Sequence, residues 1–170
     1  QKPDLNSELG EARLNSVVAA ALQMSSHSNY LFLDSAACFF KAIASNSQLS
    51  QRLTLEVPDA ILPMLENYKI FCVKNMAQCT AHADRSQWQH VLQAFHAMVP
   101  LPHLEAAVLK PSTLEVLCKY SNFEVMEILN KMQSIPIGRE MVGASLHTIT
   151  AIFNVINTGD GKAQSKAIKV

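Results

Sequence analysis

Apolar residues recur every three or four positions along most of the chain, which is the spacing of one face of an α-helix. A first helix, at roughly residues 11 to 25, is predicted from the positions Leu14, Val17, Val18, Ala21 and Leu22. The second helix is predicted up to about Ser45 from a wide apolar face: Phe32, Leu33, Ala36, Phe39, Phe40 and Ile43. No stretch of useful length alternates with a period of two, so no strand is predicted. The pattern indicates an all-α fold.

Prolines and asparagines divide the middle of the chain into shorter predicted helices. Pro58 suits the first turn of one helix, and Pro111 suits the first turn of another. After Asn67 the apolar spacing predicts a separate helix over residues 70 to 77. A further helix begins near Trp88 and ends at the turn of residues 99 to 102, which contains two prolines.

One last helix is predicted to carry Met141, Ile149, Ile152, Phe153 and Ile156. The run Asn157-Thr158-Gly159-Asp160-Gly161 ends it, because these residue types favour turns over helix interiors. Residues 1 to 156 are therefore expected to form the helical domain, and residues 157 to 170 a disordered, basic tail.

Three stretches of the chain share one pattern, which indicates an internal repeat. In each, a long amphipathic helix is followed by a break, a four-residue apolar step and a second, short apolar helix. The stretches begin at Ala37, Val91 and Met126.

The pattern resembles that of the armadillo family, and HEAT repeats fit it nearly as well. The best match runs from Ala37 to Leu65, where Asn46 stands at the break and Asp59-Ala60-Ile61-Leu62-Pro63 at the small-residue start of the next helix. The resemblance covers about residues 30 to 156. It implies a right-handed α-solenoid of about three to four repeats whose surface binds a peptide or helix of a partner protein. The nuclear-import branch has an Asn one helical turn from its Trp, whereas here Trp88 is followed four residues later by Leu92.

The composition argues against several other functions. Basic and acidic residues number 14 each, and the basic ones are scattered, so nucleic acid is not an expected partner. The longest apolar run, Val17 to Leu22, is too short to cross a bilayer, so no membrane association is expected. A charged fraction of 16% is low for a free surface and fits a fragment of a longer array, whose ends contact neighbouring repeats.

The four cysteines, Cys38, Cys72, Cys79 and Cys118, are widely spaced within apolar helical patterns. They are predicted to be free thiols in the core. With the absence of any N-x-S/T acceptor, they indicate an intracellular protein, in the cytoplasm or nucleus.

The sequence offers little that indicates chemistry. Cys79 and His82 have a spacing that zinc ligands use, but no second close pair accompanies them, and His90 and His96 fall on different faces of one helix. No metal or cofactor is therefore expected. The carboxylates are few and dispersed, which argues against an enzyme and a small-molecule substrate.

These observations predict a non-enzymatic scaffold or adaptor domain. The candidate partner-binding residues are Trp88, Tyr120 and Asn154, although ordinary packing explains each of them as well. Two alternatives stay open: a structural spacer within a large helical assembly, and a helical enzyme. A continuous apolar patch along one side favours a binding surface, whereas apolar patches confined to the two ends favour a spacer.

Overall fold

The structure is a computed structural model that describes residues 8–27, 29–74, 86–158 and 160–170; the side chains at 8, 9, 30, 68–74 and 86–88 are not described. The described residues form α-helices and two short 3-10 turns, with no strand among them, which confirms the all-α class. The helices are α1 (Glu8–Ser25), α2 (Tyr30–Ala44), α3 (Glu56–Lys74), α4 (Ser86–Met98), α5 (Glu105–Val108), α6 (Pro111–Cys118), α7 (Phe123–Met132), α8 (Pro136–Ala144), α9 (Leu146–Thr158) and α10 (Gly161–Ala167).

Local sequence sets many of the helix starts. The side chains of Asn29, Asn122 and Asp160 cap α2, α7 and α10 by accepting hydrogen bonds from backbone N–H groups at 3.0, 2.9 and 2.8 Å. Pro111 and Pro136 occupy the first positions of α6 and α8, where a missing N–H costs nothing.

The helices pack in two successions. In one, α2 contacts α4, α4 contacts α7, and α7 contacts α10; in the other, α3 contacts α6 and α6 contacts α9. The two are joined where α3 contacts α2 and α4, and where α9 contacts α10. Helix α4 is central, and its Leu92, Phe95 and Met98 are fully buried. Whether these helices form solenoid repeats stays a prediction.

Polar contacts hold neighbouring helices together at the edges of this core. The ammonium group of Lys41 in α2 donates to Gln93 Oε1 in α4 at 2.6 Å. The ammonium group of Lys131 in α7 donates to the carbonyl oxygen of His96 at the end of α4, at 3.1 Å.

No helix among the described residues is both long enough and apolar enough to cross a membrane.

Two helix boundaries differ from the sequence-based expectation. Helix α3 continues through Asn67 to Lys74, where a break was expected. A single asparagine lowers helix propensity by well under about 1 kcal/mol, which packing easily outweighs. The predicted last helix is divided at Ser145, whose backbone is extended and whose hydroxyl accepts from the N–H of Thr148 at 3.4 Å.

The predicted tail also differs, because residues 161 to 167 form α10, which packs on α7 and α9. Ala163 and Ala167 are buried, and the ammonium group of Lys166 binds Glu127 of α7 at 2.8 Å and lies 5.7 Å from the centre of the Phe123 ring. The Asp160-Gly161 pair begins a helix here: Asp160 is its cap. Small alanines let α10 approach α7 closely but give little periodic signal in the sequence.

Candidate functional site

The largest group of exposed apolar side chains in the described part of the chain lies on α9. Leu146, Ile149, Phe153 and Ile156 are 74%, 45%, 62% and 41% exposed. Their spacing of three, four and three residues places them along one side of the helix, and we call them the α9 stripe. Another face of α9 is buried through Thr148, Ala151 and Val155. Helix α9 is thus apolar well beyond the face that the core covers.

A groove of about 570 Å³ lies at the Leu146 end of the stripe. Its walls come from the start of α6, the end of α8 and the start of α9, and they include Pro111, Glu115, Met141 and His147. On α8, Ile137 is also 61% exposed. Apolar contact surface therefore extends from the stripe towards α6 and α8.

The surroundings of the other end of the stripe are basic. The side-chain amide of Gln164 in α10 donates to the carbonyl oxygen of Ile156 at 2.9 Å, which fixes α10 beside this end. Helix α10 and the residues after it carry Lys162, Lys166 and Lys169 and no acidic residue. Lys166 is paired with Glu127. Lys162 and Lys169 form no ion pair with a residue that the structure describes.

The three residues predicted to contact a partner lie in different settings. Trp88 belongs to α4, and its side chain lies outside the described part. Tyr120 is half-buried against the core and lines a groove of about 600 Å³; burial, followed by the nearby Glu66 carboxylate, raises the pKa of its phenol. Asn154 is exposed on α9. One residue is about 100° of helical rotation, so Asn154 lies on a different side of α9 from the stripe.

A second candidate site lies between α2 and α4. Asp34 and Cys38 are one helical turn apart on α2, and His90 Nδ1 lies 2.7 Å from Asp34 Oδ1. One ligand-type atom from each of these residues lies within 4.8 Å of the others, and we call the three the Asp–Cys–His cluster. Cys38 is exposed and free, whereas Cys118 is free and buried as predicted; Cys79, and the side chain of Cys72, lie outside the described residues. The expectation of four core thiols was therefore wrong for Cys38.

The chemistry of Cys38 follows from its neighbours. Partial burial of its sulfur and then the Asp34 carboxylate raise the pKa of the thiol, while Lys41 lowers it in part. The balance favours the protonated thiol, whereas a nucleophilic cysteine needs a stabilised thiolate.

Sequence reasoning missed both sites, for different reasons. Three of the four stripe residues were predicted only as apolar positions of the last helix, although the apolar positions of that helix as a whole, buried and exposed together, spread over more than one face and already signal a second contact. The Asp–Cys–His cluster has no local signal, because Cys38 and His90 are brought together only by packing of α2 on α4. Cys79 and His82, the pair with zinc-like spacing, lie outside the described residues.

Comparison of the chain with protein-family models, with curated proteins and with solved structures found no match.

Proposed function

We propose that this chain is a non-enzymatic, intracellular adaptor domain that binds an amphipathic helix of another protein along the α9 stripe. The exposure of Leu146, Ile149, Phe153 and Ile156 carries the proposal. Fully burying one large apolar side chain contributes about 1.5–3 kcal/mol, so a partner that covers four of them gains most of its binding energy there. Contiguous exposed apolar surface of this kind is typical of protein-binding sites.

The charges around the stripe define the partner further. From Pro136 to Val170 the chain carries four basic residues, Arg139, Lys162, Lys166 and Lys169, and two acidic ones, Glu140 and Asp160. A complementary helix therefore presents an apolar face flanked by Asp or Glu. Such a helix lies in an apolar groove with contacts at i, i+3 or i+4, and i+7, and here its end fits the groove beside Met141.

A second candidate is the structural spacer, and the distribution of exposed apolar side chains favours it. The large exposed apolar residues of the described chain lie near its two ends. Those near the first two helices are Val17, Leu31 and Phe32, and those near the last three are Ile137, the α9 stripe and Ile168. Leu55, just before α3, is the exception. This is the arrangement in which neighbouring helical repeats stack on both ends of a segment.

Site-specific crosslinking separates these functions. A photo-reactive amino acid replaces Ile149, Phe153 or Asn154, one at a time, in the chain expressed in cells. We expect the photo-reactive residues at positions 149 and 153 to crosslink the same protein, within a helical segment that carries acidic residues. The photo-reactive residue at position 154 should crosslink little of that protein. A synthetic peptide of that segment then loses at least about tenfold in affinity for Phe153→Asp, which corresponds to about 1.4 kcal/mol.

The control is Asn154→Ala, which changes the other side of the same helix and leaves that affinity within about twofold. If Asn154→Ala lowered the affinity and Phe153→Asp did not, the partner would contact a side of α9 other than the stripe. Crosslinks to helical repeats of the same polypeptide would support the spacer instead. If positions 149 and 153 crosslink no more of any protein than position 154 does, the stripe is not a docking site.

A further inference from the structure

The Asp–Cys–His cluster brings a sulfur, a nitrogen and an oxygen ligand to one point of the surface. Asp34 and Cys38 come from α2, and His90 comes from α4. These two helices form a major contact in the core of the fold, so the backbone positions of the three residues are fixed by packing. The side chains of Asp34 and His90 remain 31% and 37% exposed, which leaves the cluster open to an ion from solvent.

We propose that Asp34, Cys38 and His90 form a Zn²⁺ site that links α2 to α4, with water at the fourth position. Zinc is bound in proteins by Cys thiolate, His nitrogen and carboxylate oxygen, and three protein ligands plus one open position is a common set. The harder cations Mg²⁺ and Ca²⁺ prefer oxygen ligands alone, so the Cys38 sulfur selects against them.

The geometry is close to what a tetrahedral ion requires. Zinc–ligand distances of roughly 2.0–2.3 Å place neighbouring ligand atoms about 3.3–3.6 Å apart. In the structure the three atoms lie within 4.8 Å of one another, and the Asp34–His90 pair is closer, at 2.7 Å, because the two share a hydrogen bond. Zinc binding therefore requires that side-chain rotation separate that pair and draw the sulfur inwards.

The charges and protons also balance. On binding, the S–H bond of Cys38 breaks, a Zn–S bond forms, and the proton leaves to solvent. The Cys38 thiolate and the Asp34 carboxylate together neutralise the two charges of Zn²⁺, and His90 binds as a neutral imidazole. Without an ion, partial burial and Asp34 raise the pKa of the Cys38 thiol, and a bound cation removes that disadvantage of the thiolate. The Lys41 ammonium, whose positive charge also acts on Cys38, is held by Gln93 Oε1 at 2.6 Å.

The ion has a consequence for the whole fold, because it joins two helices that are separated in sequence. A ligand that binds the folded chain and not the unfolded one raises the melting temperature. For a chain of this length we expect a rise of about 5–10 °C when free zinc is about a hundred times its Kd.

The test uses the reduced, metal-free chain and titration with Zn²⁺ followed by calorimetry. We expect one ion per chain, a Kd of about 1 µM or tighter, and release of a proton. Titration with Co²⁺ is expected to give a thiolate-to-cobalt charge-transfer band. Cys38→Ser removes this band, and Cys38→Ser, Asp34→Asn and His90→Gln each weaken zinc binding by at least about 10–100-fold.

The matched control is the double variant Cys79→Ser/His82→Gln, which removes the pair with zinc-like spacing elsewhere in the chain and is expected to keep the affinity and the band. Circular dichroism in EDTA checks that each variant is folded, and the exposed position of Cys38 makes its replacement mild. A wild-type Kd weaker than about 100 µM would overturn the proposal. Equal binding by wild type and the three ligand variants, with loss in the double variant, would overturn it as well.

Discussion

At the scale of single residues, His96 connects burial to pH dependence. It is half-buried near the end of α4, and Lys131, Glu127 and Lys166 surround it. Burial and then Lys131 lower the pKa of its imidazole below the usual 6.5, while Glu127 opposes them in part. The folded chain thus holds His96 neutral at a pH where the unfolded chain already binds a proton.

The free energy of unfolding is therefore expected to fall as the pH drops below 6.5, because protonation of His96 then favours the unfolded state. Replacement of His96 by Gln, which cannot take up a proton, should reduce the loss between pH 7.5 and 5.5. Urea unfolding of both proteins across this range measures the difference. His147→Gln, at an exposed position on α9, is the control, and an equal effect of both variants would contradict the assignment.

Two glycines in α8 allow a matched test of close packing. A Cβ atom on Gly138 would clash with the carbonyl oxygen of Met132 and lie 3.3 Å from Leu109 Cδ2, whereas a Cβ atom on Gly143 would meet nothing within 4 Å. Gly138→Ala should lower the free energy of unfolding by about 1–3 kcal/mol through overpacking. Gly143→Ala should raise it by about 0.5–1 kcal/mol, because alanine favours the helix. Chemical denaturation measures both, and a harmless Gly138→Ala would show that α8 does not approach Met132 this closely.

At the scale of elements, α10 depends on one cap and on two small buried residues. The carboxylate of Asp160 accepts from the N–H of Ala163 at 2.8 Å, and the side-chain amide of Asn130 in α7 donates to the carbonyl oxygen of Lys166 at 3.2 Å. A helix this short is not stable in isolation, so its cap and its contact with α7 decide whether it forms.

Asp160→Ala is expected to weaken α10 by about 1 kcal/mol, because it leaves the first N–H groups of the helix without an acceptor. Hydrogen exchange of residues 163 to 168 should become faster, while exchange in α4 stays unchanged. Asp160→Asn, which keeps the cap, is the control. Equally fast exchange in both variants and in the wild type would support the disordered tail that the sequence suggested.

At the scale of the whole molecule, the contrast between two phenylalanines separates the core from the α9 stripe. Phe95 of α4 is fully buried, whereas Phe153 is 62% exposed. Phe95→Ala should lower the free energy of unfolding by about 3–5 kcal/mol. Phe153→Ser should change it by no more than about 0.5 kcal/mol. Equilibrium unfolding of both variants checks this, and a large loss at Phe153 would mean that the stripe belongs to the core.

Much of the fold was predictable because helical periodicity is a local property. The face of Phe40 and Ile43 in α2, the early Pro58 in α3 and the short helix that begins at Pro111 all lie where the sequence places them. Boundaries that depend on packing were not predictable. Asn67 lies within a helix that packing stabilises, and Asp160 caps α10, a helix too short to form without its contact with α7.

The sequence by itself determined the all-α class, most of the helices and the apolar residues available for burial, because each depends on spacing within a few turns of one helix. Only the tertiary structure decided which apolar residues are covered. It buries Ala151 and Val155 and leaves Ile149 and Phe153 of the same helix exposed. It also places His90 against Asp34 and Cys38, since contact between residues more than fifty positions apart depends on how α2 and α4 pack.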